Sequence, residues 1–379
     1  MISGDSNPMT DSNPMTDRAR FLATMRFEAR DRPTLLDFGF WDETLVLWQR
    51  DGLPAEVNSH GAGARYFGMD DLRDAGVHVG LCPGFEPELI RDEGENEVVR
   101  QHDGVLVRRG KFMGSIPHHL GHLLVDRESW ETHYKPRLNP DHPDRLPAPD
   151  SERCALWRDP NRNAIVEVHG GSLFGWLRDW MGLEAIAYLV YDDPALFEEM
   201  VETLCECIEG TLERAFARGG QFDALAMWED MCFNAGPLLS PEHFQKYLVP
   251  RYRRITELAR RHGIDVIWVD CDGCIDALLP LWLEAGVNCM FPIEVGTWKA
   301  DPVTLRKHFG KGLLLRGGFD KRILAQGPTA IEAEIHRLAP LVSEGGFVAH
   351  CDHRVPPDVS LQNYRFYIAK SREVWCNDQ

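Results

Sequence analysis

The sequence holds no run of eighteen apolar residues, so no transmembrane helix is expected. It begins without a basic stretch leading into an apolar core, so no secretory leader is expected either. Neither GxGxxG nor GxxxxGK[ST] occurs, which removes the usual glycine-rich phosphate loops. Positive charge is scarce: 41 Lys and Arg stand against 59 Asp and Glu, a formal net charge of −18. Such a surface repels phosphate backbones and anionic membranes, so nucleic acid and membrane are not expected partners. The ten cysteines lack framework spacing and point to a cytoplasmic, reducing setting with free thiols.

What is present is an alternation of apolar β-rich runs and helical periods. The runs are Thr34–Phe40, Ala164–His169, Asp223–Trp228, Asp265–Val269, Cys289–Val295, Leu313–Arg316 and Phe347–Ala349. Between them lie helix patterns such as Pro194–Ala217, and Ser240-Pro241 and Asp301-Pro302 mark helix starts. Strands separated by helices imply parallel βαβ units. The expected fold is a single (β/α)₈ barrel with an eighth strand hidden in the first 160 residues. A doubly wound open sheet is the rival, weakened by the missing phosphate loop.

The segment SNPMTD occurs twice in tandem, at Ser6–Asp11 and Ser12–Asp17, and residues 1–17 read as a disordered extension before a barrel domain at 18–379. Residues 96–123 predict a rim β-hairpin around an Asp103-Gly104 turn, and 127–163 a long surface connection.

Barrel enzymes place reacting groups at the C-terminal strand ends. Here six successive strands end in ionisable groups: Glu167 and His169; Trp228-Glu229-Asp230; Asp270-x-Asp272-Gly273; Glu294; Arg316 with Asp320 and Lys321; and His350-Cys351-Asp352-His353. Any one carboxylate after a strand is ordinarily a helix cap or surface charge. Six at one end point to a pocket. Asp270 and Asp272 sit two apart, on one face of an extended chain, and need a proton, a cation or an arginine between them. Cys271 and Cys274 form CxxC, a weak signal without a second pair. Histidine suits acid, base or metal-ligand roles near neutrality, which singles out His350 and His353.

From about Arg18 to Trp375, the segments Trp41-x-x-Thr44 with Trp48, Trp228-Glu229-Asp230-Met231, Gly236-Pro237, Asp270-x-Asp272-Gly273, Gly317-Gly318-x-Asp320-Lys321-Arg322 and Asp352-His353-x-Val355-Pro356-Pro357 resemble, in order, the uroporphyrinogen decarboxylase superfamily. The resemblance implies the barrel, and either cofactor-free decarboxylation or zinc-dependent methyl transfer with corrinoid proteins and thiols. True uroporphyrinogen decarboxylases carry an arginine-rich carboxylate-binding segment near the N-terminus. The corresponding Phe38–Glu43 is aromatic and acidic, so a polycarboxylate substrate is not expected. By the same resemblance Asp270, Asp272 and His353 stand at zinc-ligand positions, a harder set that suits zinc, iron or manganese, or acid–base chemistry without metal.

Three functions follow as expectations. The first is methyl transfer from a small methylated compound through a corrinoid protein. Asp270, Asp272 and His353 would hold zinc or another divalent metal. Glu229, Asp230, His350 and His353 would be catalytic. Trp41, His169, Trp228, Glu294, Arg316, Asp320 and Lys321 would contact substrate. The second is a decarboxylase or lyase of a small carboxylic acid, without corrinoid, using Arg316 or Lys321. The third is a binding protein without catalysis, disfavoured by so many ionisable groups. A homodimer is left open.

Overall fold

The structure, a computed structural model, describes residues 14–111 and 116–377. In chain order, β1 (Leu72–Asp74) precedes a separate group, β2 (Glu88–Glu93), β3 (Asn96–Arg100), β4 (Leu106–Gly110) and β5 (His118–Gly121). Then come β6 (Ile165–Gly171), β7 (Ala224–Trp228), the short β8 (Cys232–Phe233) and β9 (Gly236–Pro237), β10 (Val266–Asp270), β11 (Cys289–Ile293), β12 (Leu314–Phe319) and β13 (Phe347–Cys351). Strands β1, β6, β7, β10, β11, β12 and β13 lie side by side in that order in one curled, parallel sheet.

This sheet has seven strands rather than the expected eight. The hidden strand is β1, only three residues long. Thr34–Phe40, expected as a strand, is extended but unladdered, apart from a single parallel bridge between Phe40 and Val355. The cause is local: Asp37 folds back to accept the Gly39 N–H at 3.2 Å, and Gly39 takes a φ of +114°, which ends strand geometry. The segment nevertheless bonds towards both sheet edges. Asp70 N–H donates to Leu35 C=O at 2.8 Å, near β1, and Val355 N–H donates to Gly39 C=O at 2.9 Å, beyond β13.

Side chains alternate across the parallel strands. Val166, Val168, Leu225, Met227, Ile267, Val269 and Leu315 pack outward against the helices in the main core. Ile165, Ala224, Ala226, Val266, Trp268, Phe291, Leu314 and Val348 form a second apolar cluster on the inner face. Phe21 and Met25, from helix Asp17–Met25, join that inner cluster. Continuing the same alternation toward the C-terminal ends, the inner face presents Glu167 and His169, Trp228, Asp270, Arg316 and His350. An apolar floor thus gives way to a polar mouth.

The helical expectations hold. Helix Pro194–Ala217 is capped by Asp193, which accepts the Leu196 N–H at 3.0 Å. Ser240 and Asp301 cap the helices that start at Pro241 and Pro302. The rim hairpin is present as β3–β4 and grows into the four-stranded antiparallel sheet β2–β5. Residues 127–163 carry short helical turns and helix Glu152–Arg158 rather than irregular chain alone.

Most of the expected disordered extension lies outside the described residues. Met15, Thr16 and Asp17, however, belong to the fold. Met15 N–H donates to Asp31 at 3.0 Å, Thr16 caps the first helix, and Asp17 accepts from Asp71 N–H and Asn163 at 3.0 and 2.9 Å. A capping threonine and a shared carboxylate give these residues more hydrogen bonds than a free tail can make. No helix among the described residues is long and apolar enough to cross a membrane.

Candidate functional site

Asp272 stands at the centre of the polar mouth. Its Oδ2 lies 3.4 Å from His353 Nε2, while its Oδ1 is buried with no hydrogen-bond partner. Two overlapping groups of potential ligand atoms meet there: Asp272, Glu294 and His353, and Asp230, Asp270 and Asp272. Within each group the atoms lie within 4.8 Å of one another. The expected Asp270, Asp272 and His353 are therefore brought to one place, but through a shared Asp272, with Glu294 and Asp230 as additional members.

The carboxylates here are short of positive charge. Burial pushes the Asp270 carboxyl well above the usual carboxylate range, and repulsion from Asp230 and Asp272 pushes it further. Asp230 is raised to about 6, first by burial and then by the Asp272 charge. Its backbone is also unusual, with a φ of +40°, and the Arg178 guanidinium holds its carbonyl. An orphaned buried oxygen among crowded carboxylates and an imidazole is a donor set that fits a hard or borderline divalent cation.

The surrounding chain fixes these groups. Glu294 accepts the Gly273 N–H and the Thr297 hydroxyl, each at 2.8 Å, with Lys321 Nζ 3.8 Å away. His353 stacks on Trp41 at 5.7 Å and meets the Phe38 ring edge-on at 5.1 Å. The loop carrying His353 is pinned where Thr44 and Trp48 donate to Val355 and Val359 carbonyls at 2.8 and 2.7 Å. That accounts for the Trp41-x-x-Thr44, Trp48 pattern. Asp352, fully buried, accepts N–H groups of Val295, Gly296 and Lys321 at 2.9, 3.2 and 2.9 Å and so ties three strand exits together. Sequence reasoning assigned Asp352 no role.

Gly273 is where Asp272 leaves β10. At its φ of +88° a Cβ would come 2.6 Å from the Cys232 carbonyl oxygen. Gly273→Ala is expected to cost at least about 2 kcal/mol through left-handed strain and backbone clash, seen as a lowered melting temperature.

Deeper in the mouth, Arg316 is buried between Trp268 and Phe291, its guanidinium 4.6 and 4.7 Å from the ring centroids. No carboxylate pairs with it among the described residues, and its Nε has no partner. Burial also raises the Glu167 carboxyl, and Arg316 offsets this only in part. His350, also buried, points Nδ1 at the Cys351 carbonyl at 2.8 Å and leaves Nε2 unpartnered. A carbonyl only accepts, so the proton sits on Nδ1 and Nε2 keeps a bare lone pair. Burial, then Arg316, lowers its pKa to about 3. Since the unfolded imidazole binds protons below about 6.5 and the folded one does not, acidification from pH 6.5 toward 3 destabilises the fold. His350→Gln is expected to recover about 2 kcal/mol of the stability lost between pH 7 and pH 5, measured by denaturant midpoints.

Two expected site residues are placed otherwise. Glu229, read as catalytic, is fully buried and turned away from the mouth. It accepts Leu173, Phe174 and Gly175 N–H groups and the Ser172 and Tyr252 hydroxyls, which occupies both oxygens. Asp320, read as contacting substrate, caps helix Lys321–Leu324 and forms a two-pronged ion pair with Arg322. The remaining two line cavities beside the cluster. Trp228 borders a cavity of about 260 Å³, and His169, stacked on Trp176 at 6.0 Å, one of about 400 Å³. All ten cysteines stand as free thiols, with Cys271 buried.

Comparison with known proteins agrees with this architecture. Residues 178–374 match the family model for uroporphyrinogen decarboxylase (URO-D). Among curated relatives, uroporphyrinogen decarboxylase of Methylococcus capsulatus is 26% identical over 179 residues, 46% of this chain and 48% of that protein. Its counterpart from Pseudomonas aeruginosa is 26% identical over 201 residues, 52% of this chain and 51% of that protein. The chain thus spans about half the length of the curated relatives it matches. A methyltransferase from Methanosarcina mazei shares the fold with a TM-score of 0.60 at 15% identity, covering 95% of this chain and 99% of that one. With the matched segment running from helix Gly175–Met181 to the last helix and carrying every member of the carboxylate cluster, the chain belongs to the uroporphyrinogen decarboxylase family.

Proposed function

We propose that the chain is a divalent-metal-dependent methyltransferase acting on a small methylated compound, with a corrinoid protein as methyl-carrying partner. The observation that carries this reading is Asp272, shared by two ligand triads and holding an unpartnered buried oxygen. Asp272, Glu294 and His353 would hold zinc, iron or manganese, with Asp230 and Asp270 completing or accepting the coordination. When bound, such an ion supplies Lewis acidity and a fixed template. Trp41 and Phe38 keep His353 in place, and Lys321 balances Glu294. His350 Nε2 provides a proton acceptor facing the mouth. The fold shared with the Methanosarcina mazei methyltransferase supports the reading.

The test pairs elemental analysis with spectroscopy. Purified protein should carry stoichiometric metal. With that metal, reduced cobalamin and candidate methyl donors should give the methylcobalamin spectrum, and chelation should stop it. Metal-free protein with no cobalamin methylation would overturn the reading.

Arg316 favours a second reading, a decarboxylase or lyase of a small carboxylic acid. A buried guanidinium without a protein carboxylate is costly unless a ligand supplies the anion. Under that reading Arg316→Gln loses turnover while metal removal leaves it unchanged.

A further inference from the structure

The 260 Å³ cavity beside the carboxylate cluster has walls of a distinct kind. Trp176 and Trp180, one turn apart on helix Gly175–Met181, stand 6.0 Å apart at 16° and form one side. His169 backs Trp176, and Tyr134 backs Trp180 at 5.3 Å, so this row is held rigidly. Trp228, at the end of β7, lines the same space without stacking on either ring. Its neighbour Arg178 lies 5.3 Å from the Trp228 centroid and outside the lining.

The fixed charges of the lining are acidic, beside two histidines, His78 and His102. Asp103 and Asp179 line it, and neither lysine nor arginine does. Arg178 engages Asp179 through Oδ1 at 2.9 and 3.1 Å, leaving Oδ2 free. Asp103 uses Oδ1 for the Val105 N–H at 3.0 Å. Burial pushes its carboxyl up, the Val105 N–H and the neighbouring His102 offset this in part, and the Asp179 charge adds to it.

Indole faces attract cations, most strongly cations that water holds weakly. Ammonium groups bearing methyls are such cations, whereas compact metal ions prefer oxygen donors and anions are repelled by both aspartates. We propose that this cavity binds a small methylated ammonium cation, with the Trp228 face turned from Arg178 against its methyl groups and Asp103 and Asp179 supplying the opposing charge. The inference concerns binding and stands whether or not the metal-dependent transfer does.

The test titrates the full chain with choline, followed by calorimetry and tryptophan fluorescence. The control is 3,3-dimethylbutan-1-ol, which keeps choline's shape without its charge. Choline should bind saturably at one per chain, with the alcohol about tenfold weaker or more. Asp103→Asn and Trp228→Leu should each weaken choline by about three- to thirtyfold, in protein whose circular dichroism is unchanged. If Trp228→Leu does not fold, the near-isosteric Asp103→Asn decides alone. Chelator-treated protein should bind choline as before, so failure of the metal reading leaves this result intact. Equal affinity for alcohol and choline, indifference to Asp103→Asn, or no binding at millimolar choline would overturn the proposal.

Discussion

Replacing Glu229 by alanine should destabilise the protein by about 3–5 kcal/mol, and on this account its effect on activity follows from unfolding. The carboxylate is fully buried and receives five hydrogen bonds, at 2.8 Å from Leu173 N–H, 3.0 Å from Phe174 N–H, 2.9 Å from Gly175 N–H, 2.9 Å from Ser172 Oγ and 2.5 Å from Tyr252 Oη. Three of these donors lie at the start of helix Gly175–Met181, whose first N–H groups have no partners within the helix. A carboxylate there satisfies the donors and complements the helix dipole together. Alanine would leave every donor buried and unpaired. Glutamine keeps one acceptor but turns an NH₂ toward other donors, so Glu229→Gln should lose roughly half as much. Denaturant unfolding at neutral pH checks both. A catalytic Glu229 gives the opposite pattern, near-normal stability with turnover abolished, and that result would sink the structural assignment.

The same residue shows why the sequence misleads at particular positions. Trp228-Glu229-Asp230 is a strand exit, and the rule that strand exits carry reacting groups was applied to all three. On an extended strand successive side chains point to opposite sides. Trp228 and Asp230 reach the mouth and its cavities, while Glu229 turns outward to the helix behind. Alternation alone separates them, provided the register is anchored on the apolar face, where Ala224 and Ala226 are the inner residues. The pairing of Asp270 with Asp272 was legible because both lie in one exit two residues apart. Glu294 and Asp230 were legible as polar exits but not as partners of Asp272, since sheet curl, not spacing, brings β7, β10 and β11 exits together. Asp352 was invisible for another reason: a buried carboxylate tying backbone N–H groups leaves no sequence pattern of its own. The missing eighth strand was obscured by composition, because Thr34–Phe40 has strand-like residues but carries an Asp37–Gly39 turn that breaks the ladder. The alternation of apolar strands with helical periods was a sound guide to the parallel sheet.

Asp272→Ala should lower affinity for a divalent cation on the order of a hundredfold or more, the largest change of any single ligand substitution. Asp270→Asn removes a member of one triad and His353→Ala a member of the other, whereas Asp272 belongs to both. Stability gives an independent readout with a change of sign. Without metal, Asp230, Asp270 and Asp272 repel one another, and burial and mutual repulsion hold Asp230 and Asp270 above the usual carboxylate range. Removing Asp272 then relieves repulsion, so in chelator the variant should melt at or above the parent. With metal at about a thousandfold its dissociation constant, binding adds about 4 kcal/mol to the parent, and the variant should melt below it. Lowering the pH protonates the ligands, so occupancy in the parent should fall with acid and the two melting curves should converge. Calorimetric titration with zinc and manganese, and melting of both proteins with and without chelator, measure all of this. If Asp272→Ala leaves metal content unchanged and melts below the parent even in chelator, Asp272 is a packing residue whose second oxygen is satisfied by water, and the cluster is polarity at a strand end.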